Sequence, residues 1–200
     1  WRQRIGLAFQ DPEQQLVATT VAEDISYGLC NLQLSQAEIA ERLHQTLRDF
    51  DLQELANRPL HYLSLGQKRR VALAGVMALK PQLLLLDEPT AYLDSLQTHH
   101  LLKELDRIHD NGTTMVMATH DVNLAYSWAD WAIVLHQGRV VLSDEVGQVF
   151  SNLAQWQQLE LGMPMLWEIW NVLPLTLRGN QLPPKTVQEL RSHLIDYSTG

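Results

Sequence analysis

The residues best equipped for chemistry are two adjacent carboxylates, Asp87 and Glu88, which follow four leucines (Leu83 to Leu86) and precede Pro89 and Thr90. An unbroken apolar run reads as a strand buried on both faces, and such strands belong to parallel sheets covered by helices. Open α/β sheets keep their ligand sites just beyond the C-terminal ends of strands. Acids in that place suit a metal–phosphate site. Asp87 would hold Mg²⁺, directly or through its waters, and Glu88 would polarise an attacking water. Pro89 lacks an N–H and disfavours helix at Glu88, so a turn is expected directly after the acids. For this octet alone the plain alternative is a buried strand ending in an ordinary acidic turn.

Four further stretches weigh against the alternative. Phe9-Gln10-Asp11-Pro12-Glu13-Gln14-Gln15 follows a strand-like run, and the Gln10 carboxamide both donates and accepts without carrying charge. Leu63-Ser64-Leu65-Gly66-Gln67-Lys68-Arg69-Arg70 opens a helix that Ser64 can cap, and a helix N-terminus attracts phosphate. Ala91-Tyr92-Leu93-Asp94 comes directly after the acids, and Ala118-Thr119-His120-Asp121 comes after the next strand. Together these stretches resemble the Q-loop, signature motif, Walker B acids, D-loop and switch histidine of ABC-transporter ATPases. The Phe9–Gln15 segment looks like the Q-loop of the energy-coupling-factor branch, particularly the ATP-binding subunit of cobalt importers. The resemblance covers about Gln3 to Phe150, and five ordered motifs rarely coincide by chance.

The resemblance implies an α/β fold of the P-loop NTPase (ABC ATPase) kind: a parallel sheet, an inserted helical subdomain over residues 20–80, and a helical extension over 151–200 appended to an ATPase domain at 1–150. It implies Glu88, His120 and Gln10 as catalytic residues, with Asp87 and Gln10 at Mg²⁺. Ser64, Gly66, Gln67 and Asp94 would meet ATP, the signature residues touching the nucleotide held by an opposite subunit. It further implies a second ATPase subunit, in a homo- or heterodimer, and integral membrane transport subunits, hence a peripheral place on the cytoplasmic face of the membrane. The implied function is ATP hydrolysis coupled to import of cobalt or a related transition metal ion. Alternatives are a vitamin importer, a non-hydrolysing pairing or regulatory module, and a soluble ABC ATPase of repair or translation. Two departures stand out: Leu65 where the signature motif has glycine, and Tyr92 where a small residue is usual.

Composition sets bounds. Two hundred residues suit one domain plus a small appendage, and a 46% hydrophobic share is enough for a core. A net charge of −8 argues against nucleic acid and against broad adsorption to anionic membrane. One cysteine, Cys30, excludes an internal disulfide. No apolar run approaches a membrane span and no signal pattern is present. No glycine-rich loop ending in Gly-Lys-Ser/Thr occurs, and the chain starts at Trp1 inside a strand-like run. We therefore read it as a C-terminal piece of a longer ATPase; the resemblance implies a P-loop strand lying between the strand before His120 and the strand of Ile133. Alone, such a piece is expected to bind ATP negligibly and to aggregate.

The elements that must position these residues are also legible. Val21, Ile25 and Leu29 share helical spacing. Ser35 to Glu38 is a capping box before the stripe Ile39, Leu43, Leu47. Ser64 caps a helix whose buried face is Val71, Leu73, Ala74, Met77 and Ala78, while Lys68, Arg69 and Arg70 read as its solvated face, with a phosphate patch as the alternative. Asp94 or Ser95 caps a helix reaching Asp110, closed by Asn111-Gly112. Its His99, His100 and His109 read as solvated rather than metal-bound. Thr113 to Ala118 is a strand. Asp130–Leu135 and Arg139–Leu142 form a hairpin around His136-Gln137-Gly138. Beyond Ser151, Trp156, Trp167 and Trp170 predict packing but no chemistry, and Thr186 to Glu189 is a further capping box.

Overall fold

The computed structural model describes residues 4–151, 156, 159, 161–179 and 181–198. The chain forms two compact units, Trp1–Ala118 and Thr119–Gly200.

In the first unit, β1 (Ile5–Ala8), β2 (Leu83–Asp87) and β3 (Thr114–Ala118) form a parallel sheet in the order β1-β2-β3. Ile5 pairs with Leu83 and Ala8 with Leu86, while Asp87 pairs with Ala118. The leucine run is buried on one face only. Leu84 and Leu86 are buried, whereas Leu83 and Leu85 are half-buried, and on the Leu85 face Leu7 and Val116 remain 42% and 55% exposed. Two-sided burial, expected from the unbroken run, is therefore not met within this unit, because helix α3 covers only the Leu84 face. Gly6 marks that contact: a Cβ there would lie 2.3 Å from Val76 Cγ1, so only glycine permits the approach.

Three helices stand on this sheet unit, each opened by reciprocal capping. Thr20 and Glu23 cap α1 (Val21–Cys30), Ser35 and Glu38 cap α2 (Gln36–Asp49), and Ser64 and Gln67 cap α3 (Leu65–Ala78). Each box satisfies two N–H groups that a helix start otherwise leaves open. The stripe Val21, Ile25, Leu29 is fully buried and α1 packs on α3. Short 3₁₀ turns at Gln53–Leu55 and Leu60–Tyr62 lead from α2 into α3. Helix α4 (Ser95–Asp110) is capped by Asp94, buries Leu105 and Ile108, and ends at Asn111 with Gly112 at φ +91°. His99, His100 and His109 are exposed on it.

The second unit begins with α5 (Val122–Trp128), whose N-cap Asp121 accepts from the N–H groups of Asn123 and Leu124. Strands β4 (Trp131–His136) and β5 (Arg139–Glu145) make an antiparallel hairpin across Gln137 and Gly138, both at positive φ, as a two-residue turn of that twist demands. Then come α6 (Val146–Ser151), α7 (Met165–Val172), α8 (Leu175–Arg178) and α9 (Val187–Ser198). Their core is aromatic. The Phe150 and Trp156 rings stack at 4.6 Å, and Tyr126 meets Phe150 and Trp167 edge-on at 5.3 and 5.4 Å. The buried polar tips are satisfied: Trp156 Nε1 donates to Val149 O, and the Tyr126 hydroxyl donates to Pro183 O. The tryptophans thus close a core begun by residues 122–150. The final capping box is shifted by one residue. Glu189 N–H donates to Thr186 Oγ1 at 3.1 Å, but the Glu189 carboxylate accepts from Lys185 N–H at 2.9 Å. Among the described residues no helix is long and apolar enough to cross a membrane.

Candidate nucleotide site at the sheet edge

Asp87 closes β2 and is exposed; Glu88 follows, half-buried. The Glu88 N–H donates to Ala118 O at 2.9 Å, so it still belongs to the β2–β3 ladder. The chain then turns at once. Glu88 O accepts from Ala91 N–H at 3.1 Å and Thr90 O from Leu93 N–H at 3.2 Å. Glu88 lies at φ +42° and Tyr92 at φ +62°. The residue before a proline should be extended, and Glu88 is instead left-handed. Its amide is held by β3 while its carbonyl must cap the turn, and the left-handed region reconciles the two. For a non-glycine residue that conformation costs about 1–2 kcal/mol and concentrates at functional sites. Tyr92 is 83% exposed, so its side chain packs on little in this unit.

Gln10 lies two residues beyond β1, at the same C-terminal edge of the sheet, because β1 pairs with β2 in parallel register. Its loop is pinned to α3 at three successive contacts. Arg69 Nη2 donates to Gln10 O at 2.8 Å, Lys68 Nζ pairs with the Glu13 carboxylate, and Gln15 Nε2 donates to Ala72 O at 2.8 Å. Pro12 is buried beneath, and Asp11 caps the 3₁₀ turn Pro12–Gln14. The second Arg69 terminal nitrogen, Nη1, donates to Pro89 O, the carbonyl directly after Glu88. Arg69 is only 7% exposed. This corrects the reading of Lys68, Arg69 and Arg70 as a solvated face. Arg69 points inward because two backbone carbonyls, Gln10 O and Pro89 O, are there to accept from it. Burial pulls the Arg69 pKa below its ordinary value, and the Asp11 carboxylate opposes that shift.

At the start of α3, Ser64 Oγ accepts from Gln67 N–H at 3.3 Å, and Gln67 Oε1 accepts from Ser64 N–H at 2.9 Å. Leu65 is the first helical residue, so its Cβ meets no conformational penalty, and its side chain is 38% exposed. A Cβ built on Gly66 would lie 3.5 Å from the Gln97 side-chain amide of α4. Gln97 N–H in turn donates to Asp94 Oδ1 at 2.8 Å. Asp94 and the α3 N-terminus are therefore neighbours through Gln97, a residue that sequence reasoning passed over. A glutamine inside an amphipathic helix gives no signal of it.

Mg²⁺ takes oxygen ligands and usually binds one or two carboxylates plus waters and substrate phosphates. Among the described residues no group of three or more His, Cys, Asp and Glu forms a cage. The exposed Asp87 oxygens and the Gln10 carboxamide fit the sparser kind of site. His120 belongs to the second unit, where it is exposed and precedes the Asp121 cap of α5. The first unit thus brings together Gln10, Asp87 and Glu88 at one sheet edge, and Ser64, Gly66, Gln67 and Asp94 at two neighbouring helix starts.

A parallel α/β unit with these motifs in this order defines a class, and the chain belongs to it: it is a member of the ABC transporter ATP-binding proteins. The ABC transporter family matches over residues 1–91. A Thermosynechococcus vestitus relative, named as an ABC transporter ATP-binding protein without a stated cargo, is 62% identical over 97% of this chain and 68% of its own length. The energy-coupling factor transporter ATP-binding protein EcfA of Carboxydothermus hydrogenoformans is 40% identical, and the cobalt import ATP-binding protein CbiO of Rhodobacter capsulatus is 44% identical. Each match covers 84% of this chain, and 62% and 60% of those proteins respectively. The solved structure of CbiO1 from Clostridium perfringens, described as part of the transporter complex CbiONQ, superposes with a TM-score of 0.70 at 35% identity, over 86% of this chain and 68% of that one. The chain therefore spans roughly two thirds of the length of these relatives.

Proposed function

We propose that the whole protein is the ATP-hydrolysing subunit of an energy-coupling-factor importer, carrying cobalt or a related transition metal ion. The observation that carries this reading is the single edge at which Gln10, Asp87 and Glu88 meet, with the strained Glu88 backbone held between β3 and the turn. In this reading Glu88 accepts the proton of the attacking water and the Gln10 carboxamide orients that water. Asp87, with Gln10, would hold Mg²⁺, which supplies charge neutralisation to the phosphates. His120 steadies a terminal phosphate oxygen. Two subunits sandwich two ATP molecules, and the α3 N-terminus with Ser64, Gly66 and Gln67 meets the γ-phosphate of the nucleotide opposite, with Asp94 beside it. Residues 1–150 serve as the ATPase domain, with 20–80 as its helical part, and 151–200 as an extension. Opening and closing of the pair drives integral membrane subunits, so the protein works at the cytoplasmic face. The cobalt and import assignments draw support from the cobalt import protein CbiO of Rhodobacter capsulatus, and the energy-coupling-factor assignment from the EcfA relative.

Glu88→Gln keeps shape and one acceptor but cannot take a proton. In the full-length protein it should lower turnover about 10²–10⁴-fold while ATP-bound dimer accumulates on size exclusion. Asp87→Asn should weaken nucleotide binding as well as turnover, since it acts on the bound state too. Parent-rate hydrolysis by Glu88→Gln would remove Glu88 as the base. Equal loss of binding in both variants would make the two acids a single metal site. Cobalt uptake by cells bearing the parent or Glu88→Gln protein tests the cargo.

A further inference from the structure

Arg69 is the one buried cation of α3, and it is buried among backbone. Its two terminal nitrogens donate to two carbonyls that lie far apart in sequence and belong to different loops. Nη2 holds Gln10 O, on the residue whose side chain is assigned to the attacking water, and Nη1 holds Pro89 O, one peptide after Glu88. Among the described residues its Nε finds no acceptor, and the side chain's hydrogen bonds there are these two. A buried guanidinium left with a free N–H is costly, and such an arrangement persists where the two remaining bonds are required. Lys68 and Gln15 tie the far end of the same loop to α3, leaving Arg69 as the link that reaches the acid turn as well.

We propose that Arg69 is a positioning residue that clamps the Gln10 loop to the Glu88 turn, so that the two catalytic side chains are placed together rather than separately. This rests on the reading of Gln10 and Glu88 as partners around one attacking water. The planar fork of arginine is needed because it reaches two carbonyls from one head group, whereas a lysine ammonium is a single point on a flexible stem. Methionine keeps most of the volume and removes both donors.

The test uses the full-length protein with Arg69→Lys, Arg69→Met, Gln10→Ala and the double variant Arg69→Lys/Gln10→Ala. Amide hydrogen exchange is read first, without nucleotide. The informative amides are Gln14 and Gln15 in the loop and Ala91 and Leu93 in the turn, all hydrogen-bonded locally. Both Arg69 variants should speed exchange in the two segments together, by about tenfold, with β2 protection unchanged, because local opening is released without global unfolding. Steady-state hydrolysis is read second. Arg69→Lys should lower kcat about tenfold with KM near the parent value, and its effect should nearly vanish in the Gln10→Ala background, the non-additivity of residues acting through one another. Faster exchange in one segment only, uniform loss of protection, or additive kinetic effects would each overturn the clamp. A parent that does not hydrolyse ATP, or a Glu88→Gln variant at parent rate, would bring down the underlying function reading instead. The exchange result would then still decide whether Arg69 joins the two segments.

Discussion

Asp87 and Glu88 are adjacent yet stand in different surroundings, and the backbone makes the difference. Asp87 ends a strand in ordinary register, while Glu88 is forced left-handed by a ladder bond on one side and a turn on the other. The acids were legible in the sequence because an apolar run fixes their place at a strand end. The left-handed Glu88 was not, since it depends on the Ala118 carbonyl of β3, a contact made across thirty positions. Arg69 was misread for a similar reason: charge predicts solvent unless a tertiary acceptor is known. A third residue, Tyr126, gives a pH signature. Burial, with the Glu189 charge adding to it, pushes its phenol up to about 12 from 10. The neutral form is favoured in the fold, so this contribution to stability is fully present below pH 10 and is lost as pH rises towards 12. Tyr126→Phe removes both the titration and the hydrogen bond to Pro183. Its unfolding midpoint in urea should fall at neutral pH by the equivalent of about 0.5–1.5 kcal/mol, yet change less than the parent's between pH 10 and 12. An equal decline of both proteins across that window would show that other groups govern it.

At the scale of elements, caps carried most of the information. Ser35–Glu38 and Ser64–Gln67 form the boxes their sequences announce, and Asp94 rather than Ser95 caps α4. The box at Thr20–Glu23 was equally written in the chain but hidden by the mixed composition of the segment that follows. It also shows how α1 is anchored: Asp24, one residue on, accepts from the N–H groups of Val17 and Ala18 and fixes the exit of the Gln10 loop. Thr20→Ala should cost about 1 kcal/mol of stability, the usual worth of a cap, and leave ATP turnover unchanged because Thr20 touches none of the site residues. Chemical denaturation beside a phosphate-release assay measures both, and an undiminished stability would mean that the Glu23 carboxylate alone holds this start. The hairpin and its turn at Gln137-Gly138 are legible in the sequence, but its second strand runs to Glu145, three residues past the Leu142 expected. The two-sided burial of Leu83 to Leu86 failed because periodicity cannot tell which face a sheet covers.

At the scale of the molecule, each unit has its own core. In residues 119–200 that core is chiefly aromatic and depends on the tail, for Trp156 and Trp167 supply two of its walls. Truncating the full-length protein after Ser151 should therefore expose Tyr126 and Phe150 and lower the melting temperature, and Trp167→Ala alone should cost about 3–5 kcal/mol. An unchanged melting curve for the truncation would show the tail to be dispensable packing. The three-stranded sheet has a different consequence, one of timing. β1 finds its partner β2 only nearly eighty positions later, and β3 follows some thirty further on. A ribosome adding about 5–20 residues per second needs roughly 4–16 s to deliver that partner. Throughout that interval the apolar segment Ile5 to Phe9 is without the β2 strand it pairs with in the fold, while α1 and α2, each carrying its own cap, can form. Chaperone occupancy on the nascent full-length chain should therefore persist on the segment leading into Gln10 until Leu86 has cleared the exit tunnel.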